Sequence, residues 1–403
     1  MNPFRRPEFA FILVAVFLDL LGYGMVMPLL PLYAQRLAVE GAQIDAAAYA
    51  GVLAAAYAGM QLISGPTLGA LSDRFGRKPL LLICITGTAL SFALLATAES
   101  LSMLFAAVML DGLTGGNLSI AYAFVADAAP AEKRAQALGL TGGAFGIGLT
   151  LGPAAGGILS SLGFNAPAWS ACALALGNLA LSALLLPESL PAGLRTRQVT
   201  WRAFAGVDFA QLLRRQRGLG WLLLAIFAAN LGFNGLQSNF PLFSQLRFAW
   251  TPLDTGAFFA FVGACALISQ GLLVRLVQQR WGDRTPALTG CAALALGLAG
   301  IAAAGDAWQL YPVTALAAAG SGIALPLLSA RASARVSLQQ QGAYMGVTQI
   351  VFRAASIGAP LIAGAAFRWI DASAPYWIGS ALAMLAAIVA SRDAHEPPAQ
   401  PRC

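Results

Sequence analysis

GALSDRFGRK, at positions 69–78, is a short polar segment that joins two long apolar runs, residues 48–70 and 79–98. Its internal glycine, Gly76, permits a tight turn, and its aspartate, Asp73, is suited to capping a helix terminus. Its arginines and lysine give the turn a positive charge, and positively charged loops resist translocation across a membrane. The segment is therefore predicted to be a cytoplasmic turn between two membrane-spanning helices.

Ten further apolar runs surround this hairpin, so the sequence predicts twelve transmembrane helices. The predicted spans are residues 9–33, 48–70, 79–98, 101–126, 135–162, 166–186, 218–244, 255–278, 285–304, 307–330, 342–367 and 374–391. Of the 403 residues, 58% are hydrophobic and only 10% are charged, which excludes a water-soluble globular enzyme. Long unbroken apolar runs indicate helices rather than the alternating strands of a membrane barrel. We therefore predict an all-α integral membrane protein.

The distribution of basic residues predicts the orientation of the chain. If the N-terminus is cytoplasmic, twenty of the 24 Lys and Arg residues lie on the cytoplasmic side. Three lie outside (Arg36, Arg247 and Arg368), and Arg353 lies within a span. Such an imbalance predicts a multi-pass protein of the cell inner membrane with both termini in the cytoplasm. The net charge of +7 then reports topology, and no nucleic-acid partner is expected.

The chain is predicted to consist of two similar halves. Residues 1–190 form an N-terminal six-helix bundle, residues 191–217 a polar cytoplasmic linker, and residues 218–403 a C-terminal six-helix bundle with a short cytoplasmic tail. A shift of about 206 residues superimposes Gly116 on Gly322 and Gly152 on Gly358. Parallel six-span repeats that place a substrate site at their interface are a known transporter design.

Residues 69–78 resemble the signature G-x-x-x-D-R-x-G-R-K/R of the major facilitator superfamily. The resemblance implies two pseudo-symmetric six-helix bundles and a cytoplasmic charge network that acts as a conformational switch. The residues it assigns to this switch are Gly69, Asp73, Arg74, Gly76, Arg77 and, at the end of the fourth span, Asp127. The alternative is a basic loop that sets topology and takes no part in switching.

The fifth span matches the pattern G-x8-G-x3-G-P-x2-G-G at Gly139, Gly148, Gly152, Pro153, Gly156 and Gly157. This pattern resembles the antiporter signature of the superfamily, which is typical of drug:proton exporters. Glycines four residues apart form a smooth stripe that lets another helix approach closely, and an internal proline can kink the helix. Small-residue packing without any directional role is the alternative.

The first span, and residues 111–117 in the fourth, resemble tetracycline-efflux-type exporters. The chain departs from that branch in three places. It has Val108 where these proton antiporters usually carry an arginine, its eighth span lacks a histidine, and its ninth lacks an aspartate. The sequence therefore does not predict tetracycline as the transported compound.

Three ionisable residues are predicted near one depth in the membrane: Asp19, Asp111 and Arg353. A charge at the bilayer centre costs about 2.5–3.5 kcal/mol, so each needs a partner or a function. Because desolvation and a nearby like charge both favour the protonated carboxyl group, we predict that Asp19, Asp111 or both carry the coupling proton. Arg353 would be their counter-ion or would contact an anionic substrate. The alternative is a structural triad that fixes helix packing.

Amides and aromatic rings suggest a cavity for an amphiphilic organic molecule. The predicted substrate-binding residues are Tyr57, Gln61, Asn117, Tyr122, Asn230, Asn234, Gln237 and Gln349. Interhelical hydrogen bonding is the alternative for each of them.

Together these features predict a secondary active transporter that exports a small organic, drug-like compound in exchange for protons by alternating access. An uptake symporter or facilitator for a metabolite is the first alternative, and a non-transporting membrane receptor the second. The chain is not expected to be an enzyme, to bind a metal or cofactor, or to need a partner subunit, because the sequence contains no nucleophile-base, metal-binding or nucleotide-binding motif. Its expected partners are the substrate, protons and lipid.

Overall fold

The computed structural model describes residues 7–38, 43–130, 133–191, 193, 195, 218–337 and 340–393. Within these residues, twelve helical segments are long and apolar enough to cross a membrane. Spans 1 to 12 are Phe9–Leu37, Ala46–Phe75, Arg77–Ala96, Leu101–Ala128, Gln136–Ser160, Ala166–Leu185, Leu219–Phe248, Pro252–Trp281, Arg284–Ala303, Ala307–Ser333, Tyr344–Trp369 and Ala374–Ser391. The predicted all-α membrane fold is confirmed. Most of the predicted linker lies outside the described residues.

Several spans extend beyond their apolar runs or are interrupted. Span 2 continues to Phe75, so its helix includes Ser72, Asp73 and Arg74 of the turn, whereas Arg77 and Lys78 begin span 3. Span 1 contains one 3-10 turn at Met27–Leu29, where Pro28 lacks an amide donor for the helical ladder. Span 8 contains a π-helical turn at Ser269–Leu273. Span 4, predicted as one helix over 101–126, is two helices, Leu101–Thr114 and Asn117–Ala128, separated by a pair of glycines.

Contacts within the described residues divide the chain into two compact units. Unit 1 contains spans 1 to 6 without Ala47–Ala55, together with Ala249–Gly263, which includes the first part of span 8. Unit 2 contains Ala47–Ala55 from span 2 and spans 7 to 12 without that part of span 8. Each unit thus includes one segment that the predicted boundaries, 1–190 and 218–403, assign to the other half.

The core of unit 1 is built from apolar side chains of spans 1, 3 and 4. Ile12, Leu80, Ile85 and Phe124 are buried in one cluster, and each comes from a helix whose other faces also carry apolar residues. Unit 2 has an aromatic cluster in which the rings of Phe243 and Tyr376 lie 4.7 Å apart. Helices that are apolar on every face bury one face against their neighbours and leave the others for lipid.

A buried ion cluster ties the ends of spans 10 and 12 together in unit 2. Arg331 donates to the Asp393 carboxylate at 2.8 Å, and Arg335 pairs with the other carboxylate oxygen. Arg331 and Asp393 are each 3% exposed. A buried carboxylate that joins two guanidinium groups is costly to remove, because the buried Arg331 guanidinium then loses its carboxylate partner.

Replacing Asp393 by Asn is therefore expected to destabilise unit 2 by about 3 kcal/mol. The measurement is the thermal unfolding midpoint of the purified protein in detergent. Asp283→Asn is the matched control, since the Asp283 carboxylate is only half-buried and accepts a hydrogen bond from Gln278. Equal midpoints for the two variants would contradict the expectation.

Candidate functional site

The site centres on the interruption of span 4. The first helix of this span ends before Gly115, and the second begins at Asn117. The interruption packs tightly on span 2, because a Cβ on Gly112 would lie 2.7 Å from the Met60 Cβ and a Cβ on Gly116 would lie 2.7 Å from the Leu68 Cβ. The Gly112 carbonyl accepts a hydrogen bond from the buried Ser64 hydroxyl at 2.8 Å. Broken helices at membrane depth mark binding sites in many transporters.

Asp19 of span 1 is hydrogen-bonded to the start of the second helix. The Asn117 side-chain amide donates to Asp19 Oδ2 at 2.6 Å. The Asn117 side-chain oxygen accepts from the Leu118 backbone amide at 2.8 Å, so both ends of the amide are engaged. Asn117, predicted to bind substrate, is thus placed as the partner of the predicted proton-coupling carboxyl group.

Asp111 of span 4 is the second acidic side chain near Asp19. Its side chain is 4% exposed, lies beside the Thr88 hydroxyl, and interacts electrostatically with Asp19. Unit 1 therefore brings together two of the three predicted ionisable residues. The third, Arg353, lies in span 11 of unit 2 and is half-buried.

A small cavity lies against the Asp19 carboxyl group. Its polar lining consists of Asp19, Asn117 and Asn178, and the rest of the lining is apolar. Its volume of about 10 Å³ is close to what one water molecule requires. Asn178, which the sequence did not single out, is 1% exposed and donates to the Ala15 carbonyl at 3.0 Å.

Other predicted substrate residues divide between the two units. In unit 1, the Gln61 amide donates to the Tyr57 hydroxyl at 2.8 Å, and the Tyr57 and Tyr23 rings lie 5.5 Å apart. Tyr122 is half-buried in the second helix of span 4.

In unit 2, Asn234 donates to the Asn230 side-chain oxygen at 3.0 Å. Within the described residues, the buried side-chain nitrogen of Asn230 has no hydrogen-bond partner. Gln237 and Gln349 are exposed.

The charged turn between spans 2 and 3 forms a compact ion cluster. The buried Arg77 guanidinium contacts Asp73 at 2.6 Å and Asp127 at 3.1 Å, and it donates to the Ser72 hydroxyl at 2.6 Å. Arg74, in contrast, is exposed and lies over the Phe75 ring at 5.1 Å. Of the two arginines in the motif, Arg77 makes the carboxylate contacts.

Glu188, which follows span 6, completes this cluster and was missed by the sequence analysis. Its carboxylate accepts from the backbone amides of Arg77 at 2.8 Å and Lys78 at 3.3 Å. These amides form the first turn of span 3, where unpaired donors and the helix dipole favour an anion. Glu188 thereby fixes the end of span 6 to the turn, and the only hint in the sequence is an acidic residue directly after a span.

Gly76 occupies a backbone conformation, φ 107° and ψ 156°, that is open almost only to glycine. A Cβ at this position would also collide with the Glu188 carboxylate. Gly76→Ala is expected to destabilise the protein by about 2–3 kcal/mol, measured as a lower unfolding midpoint. Gly69→Ala in the same motif is the control, because Gly69 is helical and a Cβ there meets no atom within 4 Å in the described structure. A smaller loss for Gly76→Ala than for the control would contradict this account.

The glycine stripe of span 5 packs on span 1. A Cβ on Gly148 would lie 2.7 Å from the Phe17 carbonyl, and one on Gly152 would lie 2.6 Å from the Gly24 Cα. A Cβ on Gly156 would collide with the Met25 carbonyl. The stripe thus holds the helix that carries Asp19.

The other residues of the glycine signature, Gly139, Pro153 and Gly157, do not all lie in close contacts. A Cβ on Gly157 would lie 3.0 Å from the Gly256 Cα, and one on Gly256 would collide with the Pro153 carbonyl. Gly139, at the other end of the pattern, has open space beside it in the described structure.

Comparison with known proteins finds relatives over most of the chain. Residues 12–357 match the sequence model described as Major Facilitator Superfamily. The class C tetracycline resistance protein of Escherichia coli is 35% identical over 94% of this chain and 93% of its own length. The class B protein of Escherichia coli is 32% identical over 91% of this chain and 89% of its own length.

Solved structures show the same fold. The crystal structure of the human organic anion transporter MFSD10 (TETRAN) is 25% identical, covers 96% of this chain and 99% of its own, and superimposes with a TM-score of 0.70. The nucleoside transporter NupG, at 15% identity, covers 96% of this chain and 100% of its own with a TM-score of 0.76, which is a likeness of fold alone.

Proposed function

The chain belongs to the major facilitator superfamily, and we propose that it exports a small organic compound across the inner membrane in exchange for protons, by alternating access. The fold and the relatives indicate a transporter rather than an enzyme. Tetracycline resistance proteins among the relatives support drug:proton exchange as the transport reaction. The basic residues support an orientation with both termini in the cytoplasm.

One observation carries the proton-coupling proposal: the half-buried Asp19 carboxyl group is hydrogen-bonded to Asn117 and lies near a buried carboxyl group, that of Asp111. Ionisable side chains inside transmembrane bundles are rare and mark proton pathways in many transporters. The Asn117 amide can donate to an Asp19 oxygen whether that carboxyl group is charged or neutral, which suits a residue that must both take up and release a proton. Asn117 is then a positioning residue.

The placement of Asp19 suggests how protonation affects the helices. Asp19 lies on span 1, its hydrogen-bond donor begins the second helix of span 4, and span 5 holds span 1 through the glycine stripe. Loss of the carboxylate charge weakens the bond between spans 1 and 4. We propose that this change in contact is the link between proton binding and helix movement.

The Arg77 cluster is the proposed conformational switch at the cytoplasmic end of unit 1. Arg77 has two carboxylate partners on different helices, Asp73 and Asp127, and Glu188 anchors the following turn. An arginine shared by two acids can exchange one partner for the other at small cost when the helices shift. The topological interpretation, a basic loop without switching, predicts that Asp127→Asn leaves transport unchanged.

Transport assays in everted membrane vesicles test the proposed function. An inside-acid gradient should drive accumulation of the exported compound from a panel that includes tetracycline and organic anions, and a protonophore should abolish it. An uptake symporter would instead lose preloaded compound under the same gradient, and a facilitator would equilibrate regardless of the protonophore. A non-transporting receptor would show no proton movement that depends on any compound.

A further inference from the structure

A second cavity lies in unit 1, at the opposite end of the spans from Arg77. It is formed by the end of span 1 and by the turns that join span 3 to span 4 and span 5 to span 6. Its lining residues are Tyr33, Arg36, Leu37, Thr97, Ala98, Glu99, Phe164 and Asn165. Its volume of about 360 Å³ lies within the range of sites for small organic ligands. We call it the Arg36–Glu99 cavity.

Aromatic contacts fix one side of this cavity. The Tyr33 hydroxyl donates to the Phe164 carbonyl at 2.9 Å, and the two rings pack edge to face with centroids 4.6 Å apart. The Arg36 guanidinium lies 4.6 Å from the centre of the Phe164 ring. A cation stacked on a ring loses part of its freedom before any ligand binds, so the guanidinium is already positioned.

Opposite charges border the cavity without neutralising each other. Arg36 and Glu99 both line it and both are exposed, yet within the described part of the chain neither forms an ion pair. Thr97 and Asn165 add uncharged hydrogen-bonding groups. A cavity with one cationic side, one anionic side and aromatic walls is complementary to a molecule that carries both charges on an apolar body.

We propose that the Arg36–Glu99 cavity binds a small zwitterionic organic molecule, whose carboxylate pairs with Arg36, whose ammonium pairs with Glu99, and whose apolar part packs on Tyr33 and Phe164. This binding is separate from proton exchange at Asp19 and does not require transport. Under the proposed orientation, the site faces the outside of the inner membrane.

Fluorescence titration of the purified protein in lipid nanodiscs tests this proposal with three matched probes. Nε-dansyl-lysine carries both charges, dansylcadaverine lacks the carboxylate, and dansyl-aminohexanoate lacks the ammonium group. The zwitterion should bind up to about fivefold more tightly than either singly charged probe, after subtraction of the signal from empty nanodiscs. Equal affinities for the three probes, or no binding of the zwitterion, would overturn the proposal.

Variants assign the binding to the cavity. Arg36→Gln and Glu99→Gln should each weaken binding of the zwitterion by about fivefold, the upper range for an exposed ion pair. The double reversal of Arg36→Glu with Glu99→Arg should restore it to within about twofold. Arg368→Gln is the control, because Arg368 is also exposed and stacked on an aromatic ring, that of Trp369, but lies in unit 2.

The Asp19→Asn variant separates this binding proposal from the transport proposal. Asp19→Asn should leave the titration unchanged even where it abolishes proton-driven transport, since the cavity does not include Asp19. Binding that is insensitive to Arg36 and Glu99 substitutions would place the probe elsewhere and overturn the proposal.

Discussion

Asp19→Asn is expected to abolish transport driven by a proton gradient. Asparagine has nearly the same shape as aspartate and can still accept the hydrogen bond from Asn117, which the carboxylate accepts at 2.6 Å. It cannot take up or release a proton at neutral pH. The variant therefore removes the coupling chemistry while preserving the contact between spans 1 and 4, and it should fold as the parent does.

The measurement that isolates coupling is a comparison of two assays in proteoliposomes. Compound accumulation driven by an imposed pH gradient should fall to the level of empty liposomes, whereas exchange of labelled for unlabelled compound, without net proton movement, should persist. Asp371→Asn is the control, since Asp371 lies in the turn between spans 11 and 12 and is hydrogen-bonded to Ser373. Gradient-driven accumulation by Asp19→Asn at the parental rate would refute the proton-coupling proposal.

Asn117→Leu should produce a partial defect in the same two assays. Leucine is of similar size but cannot donate to Asp19, so the carboxyl group remains but loses its positioning contact. We expect gradient-driven accumulation to fall about tenfold, a change equivalent to about 1.4 kcal/mol, with its pH dependence displaced from that of the parent. A parental pH profile would indicate that Asn117 acts only in helix packing.

The sequence predicts the helices well because membrane burial acts on whole segments. An apolar run long enough to cross the hydrocarbon core has little alternative to a helix, since its backbone groups must pair within the segment. The twelve spans follow directly from this constraint. The interruption in span 4 does not follow from this constraint. Gly115 and Gly116 lie within an apolar run, and a continuous helix could also contain this pair of glycines.

Contacts between side chains that are distant in sequence cannot be derived from the helical pattern alone. Asn117 and Asp19 are separated by 98 residues, and Glu188 and Arg77 by 111. A side-chain amide in a span can bind a substrate or form a hydrogen bond with a neighbouring helix. Only the packing of spans 1 and 4 shows that Asn117 contacts Asp19. The resemblance to a known family anticipated the contacts of Arg77 with Asp73 and Asp127, but it gave no indication of Glu188.

Gly152→Val is expected to abolish transport by separating spans 1 and 5. A Cβ on Gly152 would lie 2.6 Å from the Gly24 Cα and 2.9 Å from the Leu21 carbonyl, and both are backbone atoms that cannot rotate away. The facing residue, Gly24, is already a glycine, so no smaller side chain can compensate. Overpacking of this kind typically costs about 1–3 kcal/mol, and more where the backbone itself must move. Alanine should therefore lower the unfolding midpoint, and valine should lower it further.

The position of the clash between residue 152 and span 1 explains why we expect the valine variant to lose transport in addition to stability. Leu21 and Gly24 lie on the same helix as Asp19, within two turns of it, so moving this helix away from span 5 alters the 2.6 Å bond between Asp19 and Asn117. Gly139→Val is the matched control from the same signature, because a Cβ on Gly139 meets no atom within 4 Å in the described structure. It should retain gradient-driven transport and most of the parental unfolding midpoint. If both valine variants lose transport to the same degree, the close contact with span 1 is not the reason for the glycine at position 152, and the stripe must act through another neighbour.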